Sequence, residues 1–129
     1  MSAWRREFSQ RIPELRRTMA SHGVKNPMAL WIELNLEFHR LCRQNPIPLD
    51  WLRRLWDYAM WCMHQGGDVC TGAALGFCEH LLDSDASRSF LPYIMSRQDY
   101  EGSKALLLYL NTQDQYEQVL KSFVSAKSE

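Results

Sequence analysis

The 129-residue chain has no long apolar run, no alternation of apolar and polar residues, no glycine-rich loop and no net charge. Each absence removes a class of protein. Its longest apolar run, Ala105 to Leu110, falls far short of the roughly 18 residues a membrane span needs. That run is expected as a buried helix segment. Without period-two patterning no strand is expected. No apolar stretch follows Trp4-Arg5-Arg6 near the amino terminus, so no signal peptide is expected and cytosolic residence follows. The sequence also lacks a Gly-x-Ser-x-Gly elbow, a phosphate-binding glycine loop, a His-Glu-x-x-His pair and a Glu-x-x-His pair. Those signatures would mark a hydrolase, a nucleotide site, a zinc protease or a di-iron bundle.

What is present is a helical pattern and a split of charge. Hydrophobic content is 46%, with five each of Trp, Tyr and Phe, which argues for a packed core and against disorder. One domain over 1–129 is expected, with residues 1–25 able to stand apart as a helical arm and residues 126–129 fraying. Residues 1–54 carry ten Lys and Arg against five Asp and Glu, whereas residues 55–129 carry five against ten. Such a division gives the molecule one basic and one acidic end, which orients charged partners.

The periodicity predicts an all-α fold of about six to seven helices, stacked as a compact bundle or a short solenoid. Ser2–Gln10 and Pro13–Ser21 form two pieces, and His22-Gly23 ends the second. Asn26-Pro27 starts a helix whose stripe is Leu30, Leu34, Phe38 and Leu41, with Asn as cap and Pro in the first turn. Asn45-Pro46-Ile47-Pro48 stops it. Leu49–Gln65 follows, with Leu52, Leu55, Trp56, Ala59, Cys62 and Met63 on one face and Arg53, Arg54, Asp57 and His64 on the other. Gly66-Gly67 closes that helix and Asp68 is expected to cap the next. Cys70, Ala73, Ala74, Phe77, Cys78 and Leu81 predict one amphipathic helix through Leu81. Ser84 or Asp85 opens a short helix that Pro92 disturbs. Ser96-Arg97-Gln98-Asp99 and Thr112-Gln113-Asp114-Gln115 resemble capping boxes. The first opens a helix through Leu110. The second opens a last helix with Tyr116, Val119, Leu120 and Phe123 buried and Glu117 paired to Lys121.

Several clusters offer chemistry, each against a plainer alternative. Cys62, His64, Cys70, Cys78 and His80 have the residue types of a zinc site. Their spacing fits no common finger, so buried thiols are expected, with neither metal nor cofactor. Cys42 stands three residues after His39 and could be an activated thiol, but no third orienting group is evident. The arginines at 5, 6, 11, 16, 17, 40, 43, 53 and 54, with Trp4, Trp31 and Trp51, suggest nucleic acid. The neutral balance and local pairing of Arg53 and Arg54 with Asp57 favour a solvated face instead. Gly72-x-x-x-Gly76 lets a second helix approach closely, and internal packing is expected. Trp51, Tyr58 and Trp61 run along one helix flank with Arg54 between them, and Trp61 falls among polar positions. An indole there needs cover from another helix or from a partner, and Trp and Tyr dominate interface energetics. Glu79, Asp83 and Asp85 form an acidic group able to meet a basic surface. The expected partner-binding residues are therefore Trp51, Arg54, Tyr58, Trp61, Glu79, Asp83 and Asp85, with no catalytic residue among them.

Four segments taken together resemble a family of small all-helical bacterial proteins. They are Glu37-Phe38-His39-Arg40-Leu41-Cys42, Pro48-Leu49-Asp50-Trp51-Leu52-Arg53-Arg54, Asp57-Tyr58-Ala59-Met60-Trp61-Cys62 and Phe77-Cys78-Glu79-His80-Leu81. The resemblance spans roughly residues 28–110. Where this family usually has tyrosine the chain has Cys78, and where proline tends to follow Glu-His-Leu it has Leu82. The family is similar to immunity proteins of bacterial toxin systems. The resemblance implies a cytosolic protein that neutralises a cognate toxin in a stoichiometric complex, with no active site of its own.

Overall fold

Short polar side chains set most of the helix starts. The computed structural model describes residues 2–21 and 23–128, the side chains of Thr18, Ser21 and 124–128 excepted. Helix α1 spans Ala3–Arg11 and a 3-10 turn at Pro13–Leu15 leads into α2, Arg16–Ser21. Of the pair expected to end α2, His22 lies outside the described residues and Gly23 takes a positive φ of 66°. The Asn26 side chain accepts from the Ala29 N–H at 2.8 Å and opens α3, Pro27–Cys42. Helix α4, Leu49–Met63, follows a cis Asn45–Pro46 bond. Ser84 caps α6, Asp85–Ile94, by accepting from the Ser87 N–H at 3.1 Å. Ser96 does the same for Asp99 at 3.0 Å and opens α7, Arg97–Gly102. A one-turn helix α8, Lys104–Leu107, comes next. Thr112 and Gln115 make a reciprocal box ahead of α9, Gln113–Ser128, with bonds of 3.1 and 2.8 Å. Glu129, the end of the tail expected to fray, lies outside the described residues.

The described residues hold no strand, and the helices pack as an all-α bundle. Helix α5, Gly67–Gly76, lies against α3 more extensively than any other pair. The pairing is parallel, because Gly72 meets Pro27 and Gly76 meets Trp31. Short connections make α4 the antiparallel return between them. The corner from α4 to α5 turns on Gly66 and Gly67, with φ of 78° and 58°, a region that residues with a Cβ rarely enter.

Phe77 sits at the centre of the core. Its ring contacts Trp31 and Phe38 at 5.0 Å each and Trp56 at 6.4 Å. At the other end Tyr100 stacks between Tyr116 at 5.0 Å and Phe123 at 4.8 Å. Phe8, Ile12, Leu15 and Met19 join the same cluster. The apolar stripe of the amino-terminal residues is thus buried in the common core, with α1 packed on α4.

Four local expectations are corrected. The helix expected through Leu81 ends at Gly76, and a 3-10 turn covers Cys78–His80. Its glycines weaken helix by up to ~1 kcal/mol each, although Ala73, Phe77, Cys78 and Leu81 are buried as the pattern requires. Asp68 lies in the first turn of α5, and Gly66 takes the cap position. Pro92 stands inside α6, which continues to Ile94, and forfeits one backbone bond there. The helix expected from Arg97 to Leu110 breaks at Ser103, and the chain turns after Leu107. That leaves Leu108, Tyr109 and Leu110 exposed instead of buried. Glu117 takes a hydrogen bond from Gln113 at 2.7 Å and not from Lys121.

Candidate functional site

The aromatic flank of α4 is covered from within. Tyr58 is wholly buried, stacks on Trp31 at 5.3 Å and donates its hydroxyl proton to the Trp4 carbonyl at 2.7 Å. It therefore cannot be a partner contact, and this expectation is corrected. Trp61 is half-buried and stacks on Tyr58 at 6.1 Å with an interplanar angle of 11°. Trp51 is half-buried, with the Arg54 guanidinium 5.8 Å from its ring centre.

Arg54 holds α1 and the following turn onto α4. It makes a two-pronged contact to Glu14 at 2.9 and 2.6 Å, reaches the Arg11 carbonyl at 3.3 Å and pairs with Asp50 at 3.1 Å. The Glu14 carboxyl is held below the usual range by that hydrogen bond from Arg54. The expected pairing of Arg53 and Arg54 with Asp57 is replaced by these contacts and by a bond from Arg53 to the Tyr93 carbonyl at 2.8 Å. Arg11 pairs with Glu7 and Arg40 with Glu37. Trp31 is fully buried and offers no stacking surface. Much of the arginine cluster thus serves internal contacts.

The cysteines fill the core. Cys42, Cys62 and Cys78 are buried, and loss of solvation pushes their thiols up to about 11, 11 and 12. No group of three or more His, Cys, Asp or Glu among the described residues is arranged to hold a metal. His64 bonds to the Met60 carbonyl at 2.7 Å on the outside of α4.

His39 is a buried polar staple. The His80 carbonyl can only accept, so Nε2 carries the proton and donates to it at 2.9 Å. Nδ1 is left to accept from the Ser84 hydroxyl at 2.9 Å. One imidazole thereby ties α3 to the 3-10 turn and to the cap of α6. Burial holds its pKa below the ordinary value, keeping it neutral.

The acidic group lies around this staple. Asp83 pairs with His80 at 2.7 Å and Asp85 with Arg88. Glu79 is half-buried in the 3-10 turn and makes no ion pair among the described residues. No Lys or Arg occurs between Arg54 and Arg88, so the α5 side of the bundle is acidic by composition.

The surface that sequence reasoning missed is the outer edge of the α3–α5 seam. Ile32 and Leu36 are 50% and 62% exposed one turn apart on α3, and Leu75 is 43% exposed on α5. Gly76, beside Leu75, is so close to α3 that an added Cβ would stand 3.5 Å from the Ile32 nitrogen. The three side chains therefore occupy adjoining edges of two locked helices. At one end of this edge a recess of about 360 Å3 is lined by Asn26, Met28, Asp68 and Thr71. At the other end α5 gives way to the 3-10 turn that holds Glu79. Compared with protein families, curated proteins and solved structures, the chain matches none. The reading of this surface therefore rests on its own chemistry. A legible signal existed: Ile32, Leu36 and Leu75 are apolar residues that fall off the buried stripes of their helices. Isolated exposed leucines are ordinary, but a grouped set on rigid elements marks a contact surface.

Proposed function

We propose that this protein is a binding module that captures a basic protein partner on the outer edge of the α3–α5 seam. The observation that carries the reading is the exposed set Ile32, Leu36 and Leu75 on a seam locked by Gly72 and Gly76. Burying a large aliphatic side chain fully is worth roughly 1.5–3 kcal/mol, so this set supplies an apolar centre. Asp68 in the recess and Glu79 in the turn that follows α5 supply acidic charge that favours a basic partner and speeds its encounter. No helix among the described residues is long and apolar enough to cross a membrane.

The resemblance to immunity proteins makes the partner a toxin domain, blocked by a stoichiometric complex in the cytosol. A toxin acting on nucleic acid presents a basic substrate surface, which the acidic edge matches in sign. Expressing the captured partner alone, and then together with this protein, tests the toxin step. Growth arrest relieved by co-expression, and not relieved by Leu36→Glu, is the expected result. A partner that leaves growth unaffected removes toxin neutralisation.

A further inference from the structure

A second recess lies between α1, α2 and the start of α3, in the basic amino-terminal half of the chain. It encloses about 290 Å3. Phe8, Met19 and Leu30, all buried core residues, form its floor, and Val24 closes one side. Arg5 and Arg16 stand at its mouth, both exposed, and none of the described residues that line it is acidic. Arg5 rests on the Trp4 ring, 4.7 Å from its centre, and spends one donor on the Val24 carbonyl at 3.4 Å. Arg16 makes no ion pair among the described residues, whereas Arg11 and Arg54 nearby are neutralised by Glu7 and Glu14.

An apolar floor under unneutralised guanidinium groups selects a ligand with an aliphatic body and one anionic head. We infer that this groove binds a medium-chain aliphatic carboxylate, its chain against Phe8, Met19 and Leu30 and its head between Arg5 and Arg16. The recess stands at the small end of ligand pockets, which suits a medium-length chain and not a long one. A guanidinium fork matches a carboxylate in a planar two-bond geometry, which a free amine or alcohol head cannot reproduce. The site is separate from the α3–α5 edge and does not depend on the partner reading.

Titration calorimetry of the full chain with octanoate, octylamine and octanol tests the inference, with amide chemical shifts locating any binding. The expected result is saturable one-to-one binding of octanoate alone, with shifts at Ser9, Ala20 and Val24. Arg5→Gln with Arg16→Gln weakens it about tenfold, as removal of charged hydrogen bonds does. Met19→Trp fills the groove and removes it. Should Met19→Trp fail to fold, the two exposed arginine positions still decide. Equal binding of octylamine, undiminished binding in the arginine variants, or occupation by a short acidic peptide but not by octanoate each overturns it.

Discussion

Gly76 lies flush against Trp31: a Cβ added to the glycine would stand 2.9 Å from the Trp31 Cβ. Gly72 is as tight one turn earlier, where the same atom would meet the Pro27 carbonyl carbon at 2.9 Å. Two glycines four residues apart thus let α5 rest on the backbone of α3. The contact buries the Trp31 ring and places Leu75 beside Ile32 on the outside.

This seam makes an unusual prediction for a helix. Gly72→Ala and Gly76→Ala should destabilise the fold by about 1–3 kcal/mol, as overpacking does, despite the better helix propensity of alanine. Gly102 has nothing within 4 Å of an added Cβ and a negative φ. Gly102→Ala should be neutral or stabilising by up to ~1 kcal/mol. Urea unfolding of the three variants measures this, and equal effects at all three positions would contradict the seam.

His39 gives a pH dependence of known sign. Burial lowers its folded pKa below the ordinary 6.5, so around and below that pH the unfolded chain binds a proton that the folded chain refuses. Its contribution is complete above about pH 6.5 and is lost as pH falls from there towards the folded value. His39→Gln should remove this component. The stability difference between pH 7.5 and 5.5 is then smaller in the variant than in the parent. Identical differences would show that His39 does not titrate on unfolding.

Thiol reactivity follows from burial. Cys70 is half-buried while Cys42, Cys62 and Cys78 are enclosed. An aromatic disulfide reagent at pH 8 should react quickly with one thiol of the native protein, and Cys70→Ser should abolish that phase. The remaining thiols should react only as fast as the chain unfolds. Two or more fast thiols would mean that the core opens more readily than its packing implies.

The exposed edge should be dispensable for folding. Leu36→Glu replaces a side chain that is largely in solvent and should alter unfolding free energy by no more than about 0.5 kcal/mol. Leu75→Glu, at a more covered position, should cost up to about 1 kcal/mol. Thermal melts give the answer directly. A loss of several kcal/mol would place these residues in the core and remove them as a contact surface.

Local chemistry was readable in the sequence. Asn26, Ser96, and Thr112 with Gln115 cap helices where their spacing predicts, because cap and backbone lie within three residues of each other. The breaks at Phe77 and Ser103 were not readable. There the helical period continues while the chain bends, and packing decides where it does so. Tyr58 and Trp61 were legible as an aromatic pair, but the cover on Tyr58 comes from Trp31 and from the Trp4 carbonyl, 54 residues before it. No local pattern carries that contact. The acidic group was visible as composition, and Ile32, Leu36 and Leu75 as apolar residues off the buried stripes. Their junction into one edge depends on Gly72 and Gly76 bringing the two helices together.

The most direct test of the account is quantitative capture of partners from a lysate of the source organism, with the parent protein and Leu36→Glu as parallel baits. The account predicts one dominant basic protein at about equal stoichiometry on the parent. It should be lost from Leu36→Glu and retained by Tyr109→Ser, which alters the exposed apolar group Leu108–Leu110. Capture that survives Leu36→Glu, or nucleic acid recovered in place of a protein, would contradict it.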